Sequence, residues 1–227
     1  MAKKVIKKQK LKISSVLIVI AIIVFLFFFI KWILSFKIQN IFVIGTDKLN
    51  DEYIISEAGL NDYPSYFKNF SFSIENRLKY NPYIKEVNVD KSFFGVVNIN
   101  IVESEVLFFR EYDKKYVLDN GEVLDSLLYD YSPVRIINYV PDLIYEQFYK
   151  KFSLLDVDVR NKISQIKYNP SDYDDGRFLI YMCDGNYVYV TISKFDSLNY
   201  YNDIYPTLEG KKGILYLDSG NHFQEIK

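Results

Sequence analysis

The chain has 227 residues, a formal charge of −1 at pH 7, one cysteine and one histidine. A single cysteine excludes an intramolecular disulfide, and a single histidine excludes a metal site built from several histidines. Aromatic side chains, which include 21 tyrosines and 18 phenylalanines, are expected to supply much of the core.

An apolar segment near the N-terminus is the strongest signal in the sequence. Eighteen uncharged residues separate Lys12 from Lys31, and fifteen of them are Ile, Val, Leu or Phe. At about 1.5 Å per residue they span roughly 27 Å, close to the hydrocarbon thickness of a bilayer. We predict an uncleaved transmembrane signal-anchor over residues 13–36. A cleaved signal peptide would have a shorter apolar core and a pair of small residues at its cleavage site, which this sequence lacks.

The charges around this segment predict its orientation. Residues 1–12 contain six lysines and no acidic residue, so this tail is predicted to be cytoplasmic and the rest to lie outside the membrane. Without the six tail lysines and Lys31, the formal charge falls from −1 for the chain to −8 for residues 32–227. Such an outer part is unsuited to phosphate contacts, so no nucleic-acid partner is expected, whereas the lipid bilayer is.

The first outer module is predicted to have the order strand, helix, helix, strand, strand. Its elements are residues 38–44, 51–58, 73–80, 84–90 and 96–102. Asn50 and Ser73 are the predicted N-caps of the two helices. In the last strand Val97, Ile99 and Ile101 alternate with polar residues, which predicts one buried face.

The second outer module is predicted to be a mixed β-sheet with flanking helices. Its predicted strands are residues 106–112, 115–119, 122–127, 134–138, 163–169, 178–183, 187–192, 213–218 and 222–226, with helical segments at 141–151, 154–162 and 195–208. Asn120-Gly121 predicts a type I′ turn, and Asp184-Gly185 predicts a second hairpin. Cys183 is predicted to be a small buried strand residue.

This order of elements after a single anchor resembles the FtsQ/DivIB family of bacterial cell-division proteins. In the first module the resemblance rests on IFVIG at 41–45, LKYNPYI at 78–84, VNV at 87–89 and VNINIVE at 97–103. In the second it rests on YVLDNGEVL at 116–124, SPV at 132–134 and GILYLDSG at 213–220. The implied fold class is α+β: a cytoplasmic tail (1–12), a transmembrane anchor (13–36), a POTRA-like domain (37–105) and an FtsQ-type β domain (106–227).

Catalytic chemistry is weakly represented in the sequence. His222 is predicted to lie at a surface strand position, and Glu103 and Glu105 are predicted to be solvated carboxylates instead of an acid–base pair. The acidic run at 172–175 lacks the glycine position and the distal glutamate of a calcium loop. We therefore predict that the protein is not an enzyme and needs no cofactor or metal.

The function implied by the resemblance is that of a scaffold at the division septum. The partners would be small bitopic coiled-coil division proteins of the FtsB/DivIC and FtsL types, and septal wall synthases are a further candidate. The predicted partner-binding residues are Tyr216, Leu217, Asp218, Ser219, Gly220 and Phe223. For Tyr216 and Phe223 the alternative is that they only close the core.

Two other functions stay open from the sequence. A POTRA-bearing chaperone or translocation accessory would bind unfolded clients by the same strand-edge chemistry. A membrane-anchored wall-degrading enzyme would instead cleave peptidoglycan.

Overall fold

The computed structural model describes residues 13–92 and 95–226, and the predicted cytoplasmic tail lies outside these residues. The chain forms two compact units, the first extending to Glu103 and the second beginning at Ser104. Each unit has its own β-sheet, of three and of nine strands among the described residues. The predicted α+β fold class is confirmed.

Helix α1, Ile13–Leu34, is the apolar segment at the N-terminal end. Its 22 residues are long and apolar enough to cross a membrane, and none of them is buried against the protein. Exposing so many aliphatic and aromatic side chains to water is unfavourable, so the helix fits membrane anchoring.

The remainder of the first unit contains the five predicted elements. They are β1 (Asn40–Ile44), α2 (Asp51–Glu57), α3 (Ser71–Lys79), β2 (Ile84–Ser92) and β3 (Val96–Glu103). The strand order is β1-β3-β2, in which β1 is parallel and β2 is antiparallel to β3. Val97, Ile99 and Ile101 are all buried, which confirms the face predicted from their alternation, and α3 adds Ile74 and Leu78 to the core.

The two helix caps of this unit differ from each other. Asn50 is the N-cap of α2, as predicted, and its side chain accepts a hydrogen bond from the Tyr53 amide at 2.7 Å. The prediction of Ser73 as the N-cap of α3 is wrong. The helix begins at Ser71 after Phe70, because the amides of Ser73 and Ile74 already donate to the Phe70 carbonyl.

The second unit is built on a nine-stranded mixed sheet. Its strands are β4 (Val106–Arg110), β5 (Lys115–Leu118), β6 (Val123–Leu124), β7 (Val134–Ile136), β8 (Ile163–Tyr168), β9 (Arg177–Met182), β10 (Tyr187–Thr191), β11 (Gly213–Tyr216) and β12 (His222–Glu225). Their order in the sheet is β12-β11-β10-β9-β8-β7-β4-β5-β6. The β4–β7, β7–β8 and β10–β11 pairs are parallel, and the other pairs are antiparallel.

Helical segments pack on this sheet around an aromatic core. They are α4 (Asp142–Ser153), α5 (Val157–Arg160), a 3-10 helix (Ile192–Tyr200), α6 (Tyr201–Ile204) and a second 3-10 helix (Tyr205–Leu208). Five fully buried phenylalanines from the strands and helices meet there: Phe108, Phe148, Phe152, Phe178 and Phe195. Ring centroids of Phe148 and Phe178 lie 5.0 Å apart, so α4 is joined directly to β9.

The backbone corrects the predicted turn type at Asn120-Gly121 and confirms the hairpin predicted at Asp184-Gly185. Asn120 does not have a positive φ, so Asn120-Gly121 is not a type I′ turn; only Gly121 does, at 88°. The loop has three residues and is closed by the Leu118 amide, which donates to the Glu122 carbonyl. The β9–β10 hairpin has a loop of the same length, in which Gly185 occupies the same position with φ 91°. That longer loop removes Cys183 from the strand, and the residue is exposed, so its predicted burial is wrong.

Candidate functional site

The C-terminal hairpin is the candidate binding site because its outer strand is an edge of the nine-stranded sheet. β11 pairs in parallel with β10, and β12 pairs only with β11, in antiparallel register from Gly213–Glu225 to Tyr216–His222. An edge strand presents backbone N–H and C=O groups that a further strand can use.

The direction of these groups follows from one hydrogen bond. The Ile226 amide donates to the Lys212 carbonyl at 3.0 Å, so it points inward, toward β11. Because directions alternate along an antiparallel pair, Gln224 and His222 also point their backbone groups inward. Phe223 and Glu225 therefore direct their amides and carbonyls away from the sheet, where no strand of the described residues lies.

A buried polar network fixes the first residue of β11. The Asn186 side chain is buried, and its Oδ1 accepts a hydrogen bond from the Gly213 amide at 2.9 Å. Its Nδ2 donates to the Tyr201 hydroxyl at 3.2 Å, and that hydroxyl donates to Asp184 Oδ2 at 2.7 Å. Burial, followed by the hydrogen bond to Asp184, raises the pKa of Tyr201 well above its ordinary value. The phenol is therefore kept neutral as a donor to Asp184.

An ion pair fixes the other end of β11. Arg177 Nε lies 2.7 Å from Asp218 Oδ2, and the two side chains are only 19% and 10% exposed. The Arg177 guanidinium also lies 3.7 Å from the centre of the Tyr189 ring. The Asp218 backbone carbonyl accepts a hydrogen bond from Lys194 Nζ at 2.8 Å. Asp218 is therefore held through both its side chain and its backbone, which fixes the start of the loop after β11.

Close backbone contact joins the two strands of the hairpin. A Cβ atom added to Gly213 would lie 2.2 Å from the Gln224 carbonyl oxygen and 2.7 Å from Phe223 Cζ. Only glycine permits this approach.

The outward face of the sheet is aromatic next to the edge strand. The Tyr216 ring stacks on His222, with centroids 4.6 Å apart, and on Tyr189, with centroids 5.4 Å apart. The Tyr216 hydroxyl donates to Gln224 Oε1 at 3.1 Å. A strand added beside β12 would have this half-exposed surface next to its side chains on one face.

The six predicted binding residues all lie in the hairpin, but they face different surroundings. Ser219 and Gly220 are exposed in the loop, whereas the Leu217 side chain is buried in the core. Phe223 is half-buried and packs against the core, as one alternative predicted, whereas Tyr216 faces the opposite side. The sequence did not identify Arg177, Asn186 or Gly213, because each acts through a residue at least 11 positions away.

The β2 and β6 edges offer less to a guest strand. At one of the two edges of the three-stranded sheet, the Val89 amide in β2 donates to Glu75 Oε1 at 3.0 Å, so α3 already occupies that donor. At the far end of the nine-stranded sheet, β6 contains only two residues. Of the two edges of the nine-stranded sheet, β12 is therefore the better suited to a partner, and β1 is the second edge of the three-stranded sheet.

The residues weighed for catalysis are not assembled into a site. Exposed Cys183 and exposed His222 have separate neighbours: the Asn161 carbonyl for the thiol, and the Tyr216 ring and Ser219 carbonyl for the imidazole. Within residues 13–92 and 95–226, no group of three or more His, Cys, Asp or Glu side chains is arranged to hold a metal ion.

The prediction of two solvated glutamates is confirmed for Glu105, which is exposed, and is wrong for Glu103, which is partly buried. Glu103 accepts hydrogen bonds from the amides of Asp47, Lys48 and Leu49 at 2.9–3.2 Å. Glu105 pairs with Arg160 Nη2 at 2.9 Å. Both carboxylates therefore have structural partners that are distant in sequence.

Comparison with known proteins identifies the family. The solved major extracytoplasmic domain of the trans isomer of DivIB from Geobacillus stearothermophilus is 21% identical, with a TM-score of 0.38 over 47% of this chain and 95% of that chain. A family model described as "POTRA domain, FtsQ-type" matches residues 36–104. Cell division protein DivIB of Brevibacillus brevis is 32% identical over 189 residues, covering 80% of this chain and 72% of that protein. DivIB of Bacillus subtilis is 28% identical over 229 residues, covering 97% and 86%. The chain belongs to the FtsQ/DivIB family of bacterial cell-division proteins.

Proposed function

We propose that this cell-division protein is a non-enzymatic single-pass scaffold that captures a partner strand at β12. The partners proposed are small bitopic coiled-coil division proteins of the FtsB/DivIC and FtsL types. Through them the protein helps to regulate septal peptidoglycan synthesis. The observation that carries the proposal is the free edge of β12, held in place at both ends of β11.

The proposed orientation follows from the chain order of charge and apolar surface. The lysine-rich tail precedes α1, so it stays in the cytoplasm, and both folded units lie outside the membrane at the division septum. There the hairpin reaches the membrane-proximal segments of other bitopic proteins.

The binding mode is the addition of a strand to the sheet. The guest would take hydrogen bonds from the outward amides of Phe223 and Glu225 and would donate to their carbonyls. Its side chains on one face would contact Tyr216 and His222, which supplies selectivity beyond the backbone pairing. Because β12 is already ordered by β11, the guest alone bears the entropy cost of ordering.

A proline at position 225 tests this mode directly. Glu225→Pro removes one outward donor but no hydrogen bond to β11, because the Glu225 amide points away from the sheet. The guest carbonyl is left unsatisfied, which costs about 1–3 kcal/mol, or roughly 5- to 150-fold in the dissociation constant. Glu225→Ala is the matched control, since it removes the same side chain and keeps the amide.

The measurement is binding of the purified full-length protein, in nanodiscs, to its coiled-coil partners. Weakened capture by Glu225→Pro and normal capture by Glu225→Ala are expected, with equal melting temperatures. Normal capture by both variants would place the interface away from β12. Preferential binding of unfolded polypeptides would instead favour a chaperone, and cleavage of peptidoglycan by the purified protein would favour an enzyme.

Orientation is tested separately by adding protease to intact cells. Digestion of the C-terminal unit is expected, and full protection of that unit would contradict the proposed topology.

A further inference from the structure

The end of α1 is bonded to a loop of the POTRA domain that carries exposed aromatic rings. Ser65 Oγ donates to the Leu34 carbonyl at 2.6 Å, and the Tyr66 amide donates to the Phe36 carbonyl at 2.9 Å. The Ile38 amide in turn donates to the Pro64 carbonyl at 2.9 Å. Residues 64–67, named here the juxtamembrane loop, therefore lie at the same level as the last turn of the helix.

Three rings form a cluster at this junction: Phe36, Tyr66 and Phe67. The Phe36 centroid lies 6.2 Å from each of the other two, and Tyr66 and Phe67 are 5.2 Å apart. Phe36 and Phe67 are nevertheless 41% and 43% exposed. An open groove of about 840 Å³ runs between this cluster and the side chains of Trp32 and Ile33.

The juxtamembrane loop is ordered by the domain rather than by the exposed rings. Lys91 Nζ donates to the carbonyls of Tyr66 and Asn69 and lies 3.8 Å from the centre of the Tyr66 ring. The Tyr66 hydroxyl donates to the Ser92 carbonyl at 2.8 Å. The position of Phe67 is thus set by the hydrogen bonds of Lys91 and Tyr66, which leave the Phe67 ring partly exposed.

The length of α1 sets the depth of the cluster. The uncharged stretch to Ile30 covers the hydrocarbon layer, and residues 31–34 rise about 6 Å further. The head-group layer on each side of a bilayer is roughly 5–8 Å thick. Leu34 therefore ends near the outer limit of that layer. The three rings line a groove with Trp32 and Ile33 of the last turn, so they lie at head-group depth, where aromatic side chains are favoured.

Three lysines lie close to the cluster in the chain, and Lys37 also lines the groove. Lys31, Lys37 and Lys68 are all exposed, and Lys31 Nζ extends along the helix to 4.9 Å from the Phe27 ring. Lysines at this depth contact lipid phosphates while their stems cover apolar surface.

We infer that the juxtamembrane loop docks on the bilayer surface, with Phe36 and Phe67 inserted among phospholipid head groups and Lys37 and Lys68 contacting phosphates. This inference rests on the membrane anchoring proposed for α1. The POTRA domain would then be held against the membrane by a second contact, independent of its partners. That contact restricts rotation of the domain about the end of the helix.

Fluorescence quenching by spin-labelled lipids tests the docking on the full-length protein. Trp32 is the only tryptophan, so Trp32→Phe gives a background free of tryptophan. Phe67→Trp and Phe36→Trp are each added to it, and each protein is placed in nanodiscs of phosphatidylcholine and phosphatidylglycerol. Phe42→Trp is the matched control, because Phe42 is 53% exposed but lies roughly 20 Å further along an extended segment.

Docking predicts that a nitroxide on the head group quenches the tryptophans at 67 and 36 more strongly than a nitroxide at mid-chain. The control at 42 should keep its full emission with either lipid. Quenching of the tryptophans at 67 and 36 no stronger than that of the tryptophan at 42 would overturn the inference. A Phe27→Trp reporter in the helix separates the two proposals: quenching there without quenching at 67 and 36 refutes docking alone, whereas none at 27 refutes anchoring.

Discussion

Gly213→Ala should detach β12 from β11 without unfolding the second unit. The backbone of Gly213 does not adopt a positive φ, so alanine introduces no backbone strain and the effect is contact alone. The new Cβ would lie 2.2 Å from the Gln224 carbonyl oxygen. Ordinary van der Waals contact requires about 3.3 Å, so β12 must move by about 1 Å.

A displacement of that size breaks the nearby ladder. N–H···O distances near 2.9 Å would lengthen to nearly 4 Å, beyond hydrogen-bond range. Three bonds are affected: the pair exchanged by Ile214 and Gln224, and the bond from Ile226 to Lys212. At about 0.5–1.5 kcal/mol each, their loss totals roughly 1.5–4.5 kcal/mol. If β12 must be paired to bind, this loss lowers the affinity by at most roughly ten- to two-thousandfold.

Amide hydrogen exchange and partner capture together measure this effect. Faster exchange is expected for the inward amides of Ile214 and Gln224, with unchanged protection in β9 and β10. Gly220→Ala is the control, because it strains the same hairpin at φ 83° but its added Cβ meets no atom within 4 Å. Loss of Gln224 protection together with normal capture by Gly213→Ala would refute the assignment of β12 as the docking edge. Native protection of Gln224 would instead refute the predicted displacement of β12.

Three further changes test the framework around the site. Ile99→Asp buries a charge in the fully buried face of β3 and should unfold the POTRA domain, seen as loss of amide protection over residues 40–92 and 95–103. Tyr201→Phe leaves the buried Asn186 amide short of an acceptor and should cost about 1–3 kcal/mol in urea unfolding. Because folding raises the pKa of Tyr201, the contribution of this residue to stability is complete below pH 10 and declines as pH rises above 10. The stability difference between Tyr201→Phe and the unsubstituted protein should therefore shrink at alkaline pH. Glu103→Gln should lower the melting temperature more than Glu105→Gln, since Glu103 accepts three backbone amides and Glu105 has one exposed ion pair.

The elements of the POTRA domain were predictable because their signals are local. Alternation in β3 identifies its buried face, and the Asn50 side chain caps a helix only three residues away. Helix α1 is predicted by composition alone, since an uncharged apolar stretch of this length is typical of a membrane-spanning helix. The wrong N-cap at Ser73 marks the limit of such signals: a serine in the right place can be overridden when the backbone already closes the turn at Phe70.

The parts of the site that the sequence did not reveal depend on contacts across the sheet. Arg177 and Asp218 are 41 positions apart, and Asn186 and Gly213 are 27 positions apart. The sequence around these four residues does not distinguish them from ordinary surface or turn residues until the strands are placed side by side. The prediction that Cys183 is buried failed for a similar reason, because one extra residue in the turn changes the environment of the side chain from core to solvent.

The placement of β12 implies that binding and folding are coupled in this unit. β12 has one neighbour, β11, and β11 depends on Asn186 at its start and on Arg177 just after its end. A change at either residue loosens the edge strand although neither lies on it. Such changes would weaken partner capture by lowering the fraction of molecules with β12 in place, and they would leave the intrinsic affinity of the ordered edge unaltered. Variants at 177 and 186 should therefore recover capture at lower temperature, whereas Glu225→Pro, which alters the edge itself, should not.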